Sequence, residues 1–276
     1  MRVVPIGLLL AGCGVRQAGV EIRGSSGLRD GLPAGDLVDG CEVQASSAEI
    51  VIADAAIEAG GRGWPGEVAS PRQFMEDQDG YAYSAFGPGA GVFGVRFDGQ
   101  RWSELFDLPR APLERLRVHV APVADPWSTL VEMPDGRLQE GDASMRLAGD
   151  VSCGGSSAAF DVAVAVDQVW SCPLDGEPAP SAGVGWHELT VSFEPWFATS
   201  PVRADAPRAA RAWLDADTNG SGAVGDAEWA SGVLDPALYD EPAQALGLAG
   251  LVTTMAHRSR LRLDGADCEL DQGDDE

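Results

Sequence analysis

Residues 145–166 constrain the architecture more firmly than any other stretch of the chain. Met145, Leu147 and Val151 lead into the turn Gly154-Gly155-Ser156-Ser157, and Phe160, Val162, Val164 and Val166 follow it, alternating with Asp161, Ala163, Ala165 and Asp167. A period of two puts every second side chain on one face, the mark of a half-buried β-hairpin. Shorter runs repeat the pattern. Glu49–Asp54 is compact and β-branched, and residues 91–97 form another short strand. Leu116, Val118 and Val120 alternate with Arg115, Arg117 and His119, and Leu189, Val191 and Phe193 share one face further on. Short strands separated by Gly and Pro turns predict a mainly β domain, an antiparallel sandwich or barrel, over residues 41–200.

The character changes at Pro201. Residues 207–216 are alanine-rich with a proline in the first turn, and 226–233 and 243–260 also read as helices. Leu246, Gly250, Leu251, Thr254 and Met255 form an apolar stripe on the last of them. Residues 201–270 are therefore expected to be a smaller helical region, followed by an acidic tail at 271–276. Residues 13–40, rich in Gly, Ser and Asp, read as a flexible tether.

Charge narrows the function. The 276 residues carry 43 acidic and 19 basic side chains, all of the latter arginine, for a net charge of −24. Such a surface repels a nucleic-acid backbone, so no nucleic-acid partner is expected. The 45% hydrophobic content is too high for a disordered chain. No apolar run reaches the roughly 20 residues of a membrane-spanning helix.

Five cysteines are present. Cys41, Cys153, Cys172 and Cys268 make an even set, which an oxidising compartment would pair. Cys153 and Cys172 lie at opposite ends of a predicted strand, beyond bridging reach. Of the remaining connectivities, Cys41–Cys153 with Cys172–Cys268 is preferred, each bridge closing a loop of roughly a hundred residues. There is no CxxC or CxxCH motif.

The fifth cysteine sits in a different context. Arg2 is followed by the apolar Val3–Leu10 and then by Leu10-Ala11-Gly12-Cys13. This resembles a lipobox, with residues 1–12 as a lipoprotein signal peptide and Cys13 as the lipidated residue. Several acyl chains would anchor the protein stably to a membrane. Gly14, where Asp would mark inner-membrane retention, points to the outer membrane, on either its periplasmic or its outer side.

The strongest chemical motif is Asp217-Thr218-Asn219-Gly220-Ser221-Gly222-Ala223-Val224-Gly225-Asp226-Ala227-Glu228. It resembles an EF-hand calcium loop. Calcium takes six to eight oxygens in flexible geometry. Asp217, Asn219 and Ser221 offer side-chain oxygens at positions 1, 3 and 5, and Gly222 permits the sharp turn at position 6. Ala223 offers its carbonyl at position 7, Val224 points inward at position 8, and Glu228 can chelate at position 12. The register from Asp215 to Asp226 fails because its eighth position is Gly222. Glu76–Gly80 lacks a carboxylate at the first loop position and has no matching position 12, so no second loop is found and one Ca2+ ion of modest affinity is expected.

Lipobox, β region, metal-type loop and the terminal stretch from His257 to Cys268, His-Arg-Ser-Arg-Leu-Arg-Leu-Asp-Gly-Ala-Asp-Cys, together resemble a group of uncharacterised Gram-negative surface lipoproteins. Related chains of that group carry His and Asp on the strand before the helices. Here that stretch, Val191–Trp196, keeps only Glu194.

The remaining candidates are weaker. His119 falls on the arginine face of its strand, His187 lies in register with Leu189 and Val191, and His257 sits near a helix end, where it favours the dipole. Eight tryptophans, at 64, 102, 127, 170, 186, 196, 213 and 229, read mostly as core, although an exposed cluster would suit carbohydrate. There is no GxSxG, HExxH, P-loop or Rossmann fingerprint. The expectation is a lipid-anchored, non-catalytic envelope protein with one calcium loop and a protein or carbohydrate partner. A carbohydrate-binding module is the first alternative and a hydrolase the second.

Overall fold

The hairpin at 145–166 forms as its alternation requires. In the computed structural model, which describes residues 16–25, 27, 30–59, 62–65, 91–95, 103–107, 113–122, 143–174 and 183–271, β7 (Met145–Cys153) pairs antiparallel with β8 (Ser156–Val164). Gly154 and Gly155 turn the chain with φ of 59° and 91°. Two successive positive φ values match the right-handed twist of the flanking strands. Met145, Leu147, Val151, Phe160, Val162 and Val164 are buried on the inner face.

The hairpin belongs to an antiparallel sheet ordered β13-β9-β6-β2-β7-β8. Its axis is β2 (Glu42–Ala59), whose eighteen residues serve four neighbours. These are β7, β6 (Leu113–Val120), and the shorter β3 (Arg62–Pro65) and β4 (Gly91–Val95). Beyond β6 lie β9 (Gln168–Pro173) and, at the edge, β13 (Glu269–Leu270). A second, mixed sheet is ordered β12-β11-β10-β1-β5. It consists of β1 (Arg16–Gly24), β5 (Ser103–Asp107), β10 (Gly183–Ser192), β11 (Arg260–Leu263) and β12 (Ala266–Asp267). The chain is thus mainly β, with a helical region late in the sequence. One apolar core runs from Val20 and Ile22 of β1 through both sheets to Met255 and Leu263.

Several expectations are corrected. The segment read as a tether contains β1, which lies between β10 (parallel) and β5 (antiparallel). Val20 and Ile22 are buried, as are Leu32 and Leu37 further along. The abundance of Gly, Ser and Asp hid a short alternation whose partners lie far away in sequence. The region 201–270 is not helical to its end. Leu261 and Leu263 are buried and alternate with exposed Arg260 and Arg262, so the chain returns to the sheets as β11, β12 and β13. The acidic tail begins in an ordered contact: the Asp271 amide donates to the Val169 carbonyl, and its carboxylate lies 2.6 Å from Arg117 Nη2.

The helices are shorter than their composition suggested: α1 is Arg211–Asp215, α2 Asp226–Ser231 and α3 Glu241–Ala256. Residues 207–210 lie before α1, and Arg208 bridges Ala198 instead. Asp240 caps α3 by accepting from the Ala243 amide at 3.0 Å. Gly247, at φ 68° and ψ 179°, breaks that helix. The break resets the helical phase, so Leu246 is exposed while Leu248, Leu251, Val252 and Met255 form the buried face. The expected stripe was correct only after the glycine. His257 is the C-cap residue of α3.

Two disulfides hold the sheets. Cys41 precedes β2 and Cys153 ends β7. The β2–β7 register pairs Glu42 with Ser152, which places the two cysteines opposite each other, and they are bonded. Cys172 of β9 is bonded to Cys268, between β12 and β13. Both match the preferred sequence pairing. Residues 1–12, Cys13, Glu76–Gly80, Trp102, Trp127 and residues 272–276 lie outside the described residues.

The first bridge spans a sequence separation of 112 residues. Replacing Cys41 and Cys153 together with serine is expected to lower unfolding free energy by about 2–5 kcal/mol, measured by denaturant titration under oxidising conditions.

Candidate metal centre

The loop Asp217–Glu228 joins α1 to α2 and is held by aromatic side chains at both ends. Trp213 of α1 is buried, its ring centroid 4.8 Å from that of Trp229 in α2. It also lies 4.8 Å from Phe160 of β8, edge-on, and stacks at 4.6 Å on Phe197. Phe197 belongs to a single 3-10 turn, Glu194–Phe197. Each such pair is worth about 0.5–1.5 kcal/mol beyond its burial. The two helices flanking the loop are thereby fixed to the sheet and to each other.

Within the loop, backbone amides orient both end carboxylates. Asp217 accepts from the amides of Ser221 at 2.9 Å and Gly222 at 2.8 Å, one on each oxygen. Asn219 Oδ1 accepts from the Ser221 amide at 2.7 Å. The Ser221 hydroxyl donates to the Ala223 carbonyl at 2.9 Å. Glu228 Oε1 accepts from the Asn219 amide and the Thr218 hydroxyl, both at 3.1 Å, and Oε2 accepts from the Gly225 amide at 3.0 Å. Gly222 has φ +81° and nothing within 4 Å of where a Cβ would sit. Its need for glycine is therefore conformational.

Hydrogen bonds from the Gly225 amide, the Asn219 amide and the Thr218 hydroxyl hold the Glu228 carboxyl below its ordinary value, against desolvation and, less, the nearby Asp217 charge. Both carboxylates accept from amides of the short Asn219–Gly222 stretch, so they share one neighbourhood. The five residues named from the sequence, Asp217, Asn219, Ser221, Ala223 and Glu228, thus contribute to one connected network. All their donor atoms are oxygens, the chemistry that hard divalent cations select. Among the described residues no three His, Cys, Asp or Glu side chains converge as a metal-binding group. The loop supplies two carboxylates; its other oxygens are amide, hydroxyl and carbonyl.

Where the loop leans is set by a contact far away in sequence. The Val224 amide donates to the Ala159 carbonyl and the Ala159 amide to the Gly222 carbonyl, both at 2.9 Å. Ala223 and Ala159 form a parallel bridge. Ala159 lies on β8, the terminal strand of its sheet. The edge of a sheet therefore meets the loop through backbone bonds. Ala223 and Val224 also wall a cavity of about 600 Å3 that includes Arg146 and Asp161. Arg146 is buried, its guanidinium 2.6 and 2.9 Å from the two Asp161 oxygens and 2.8 Å from Glu49. Thr218 and Ala159 were missed by motif reading. A hydroxyl that braces a carboxylate, and a backbone that pairs at long range, leave no mark on the spacing of a motif.

The other candidates are placed separately. His119 Nε2 meets Asp167 at 2.7 Å and His187 Nδ1 meets Asp264 at 2.6 Å, both at the surface. Trp170 and Trp196 are buried. Glu194 is nearly buried and ties two elements: Oε1 accepts from the Ser25 hydroxyl just after β1, and Oε2 from the Ser192 hydroxyl. No protein-family model, curated protein or solved structure matches the chain.

The depressed Glu228 carboxyl makes a signed prediction. Its contribution to stability is fully present above the ordinary value of 4.5 and is lost as pH falls through the lower folded value. In metal-free protein, Glu228→Gln should remove that part of the acid-limb decline in melting midpoint, measured by circular dichroism.

Proposed function

We propose that this chain is a lipid-anchored, non-catalytic protein of the bacterial cell envelope, held to the outer membrane through Cys13, in which the loop Asp217–Glu228 binds one calcium ion as a structural clip. The observation that carries the calcium reading is that amides of the same loop, from Asn219 to Gly225, hold both the Asp217 and the Glu228 carboxylates. Asp217, Asn219, Ser221 and Glu228 would hold the ion by side chain and Ala223 by its carbonyl. A bound ion would add positive charge where two carboxylates lie close together. We read the two sheets as faces of a sandwich, a reading supported by their shared core.

Two carboxylates among five donor groups give a low charge count. Affinity in the extracellular range follows, with Kd on the order of 10⁻⁴–10⁻³ M. At ~1 mM calcium, a Kd of ~0.1 mM adds about 1.4 kcal/mol. The ion would clip α1 and α2 onto the β8 edge through the existing bonds to Ala159. That is a static role rather than a switch, because Trp213 already fixes the helices.

Adding calcium to chelated protein is expected to raise the melting midpoint by about 3 °C, and Glu228→Gln should abolish the rise. Equal midpoints with calcium and with chelator would reject the metal reading. The anchor has its own test. Radiolabelled palmitate should be incorporated by bacteria expressing the full chain and not by the Cys13→Ser variant; equal labelling would reject lipidation at Cys13.

A further inference from the structure

A cavity of about 630 Å3 lies away from the metal loop, between the 3-10 turn, the segment 203–208 and the end of α3. Four of the chain's 19 arginines line it, Arg203, Arg208, Arg258 and Arg260, against two carboxylates, Asp36 and Asp205. In a protein with more than two carboxylates for each arginine, this local excess of positive charge stands against the composition. Arg203 reaches Asp205 only at 3.7 Å. Arg208, Arg258 and Arg260 have no ion-pair partner among the described residues. By contrast, Arg211 and Arg262, close by in sequence, are paired with Asp215 and Asp267 at 2.8 and 2.9 Å.

The walls are fixed by the fold. Ser259 is buried and accepts a hydrogen bond from Trp196 Nε1 at 3.0 Å. Arg258, in the turn that follows α3, and Arg260, the first residue of β11, flank it and are both exposed. On the other side, Pro207 accepts from the amide and hydroxyl of Thr199, at 2.9 and 3.0 Å, which closes the loop carrying Arg203. The Arg208 carbonyl accepts from the Val38 amide at 2.8 Å. Met255, buried beneath α3's last turn, gives the cavity an apolar element.

We propose that this cavity binds a compact ligand bearing phosphate groups. Guanidinium forks match tetrahedral oxyanions in bidentate fashion. Several forks from two chain segments offer more donors than one carboxylate can accept. The volume falls in the range of small-molecule sites. The chain's net charge disfavours long polyanions, but at physiological salt that repulsion is screened beyond roughly 8 Å and does not govern a recessed contact. The phosphate can come from a soluble metabolite-sized ligand or from a lipid headgroup.

The test uses the full chain in the presence of chelator, which keeps the calcium loop out of the measurement. One arm titrates inorganic pyrophosphate by calorimetry. The other measures co-sedimentation with phosphatidylcholine vesicles with and without phosphatidic acid. Arg258→Gln combined with Arg260→Gln should weaken the observed binding by about tenfold or more, at the usual strength of charge-assisted contacts. Arg208→Gln alone should weaken it less, and Arg262→Gln, outside the cavity, should leave it unchanged. Binding of pyrophosphate identifies a soluble ligand; binding only to vesicles with phosphatidic acid identifies a headgroup. Binding in neither arm, or binding that the double variant retains at an unchanged melting midpoint, overturns the proposal.

Discussion

Two backbone hydrogen bonds between Ala159 of β8 and the Gly222–Val224 segment organise the late half of this chain. An outer strand leaves amides and carbonyls open along its free edge, and such edges recruit whatever extended backbone is near. Here the edge is met by a segment of the same molecule. Those bonds set the position of α1 and α2, and Trp213 fixes it by filling the space between Phe160, Phe197 and Trp229. A twelve-residue loop with little core of its own gains a defined shape because it borrows a sheet. The carboxylates of Asp217 and Glu228 inherit that shape through the amides they accept from.

The two chain ends act in a related way. β1 enters the mixed sheet alongside β10, and β11 leaves α3 to join the other side of β10. The chain then crosses to the other sheet, where β13 pairs β9 and Cys268 is bonded to Cys172. Helices, strands and bridge therefore share one core rather than dividing into a β domain and a helical appendage. The same return of the chain brings Arg258 and Arg260 beside Arg203 and Arg208, and so creates a cationic recess in an acidic protein.

Legibility followed the range of the interaction. The β7–β8 hairpin could be read because its alternation and its Gly-Gly turn are adjacent in sequence. The order of oxygens in Asp217–Glu228 could be read because the motif is contiguous. Hairpin geometry disfavoured Cys153–Cys172 and so removed one of the three disulfide connectivities; the choice between the other two rests on long-range pairing that has no local signature. Strand β1 was misread because parallel pairing across more than 160 residues carries no local signature, and its two glycines, with the Ser25-Ser26-Gly27 that follows, mimic a linker. The stripe on α3 was half right, since one glycine at positive φ shifted the phase of everything before it.

The sequence alone determined the β class, the hairpin, the order of oxygen-bearing residues in the loop and the cysteines available for pairing. Each of these is set by side-chain period, by turn chemistry or by covalent neighbours. Only the tertiary structure decided that β8 supports the loop, that the apparent tether is a strand, and that four arginines from two segments meet around one cavity. Those outcomes depend on which distant backbones satisfy each other's hydrogen bonds, and a linear pattern of side chains does not encode that choice locally.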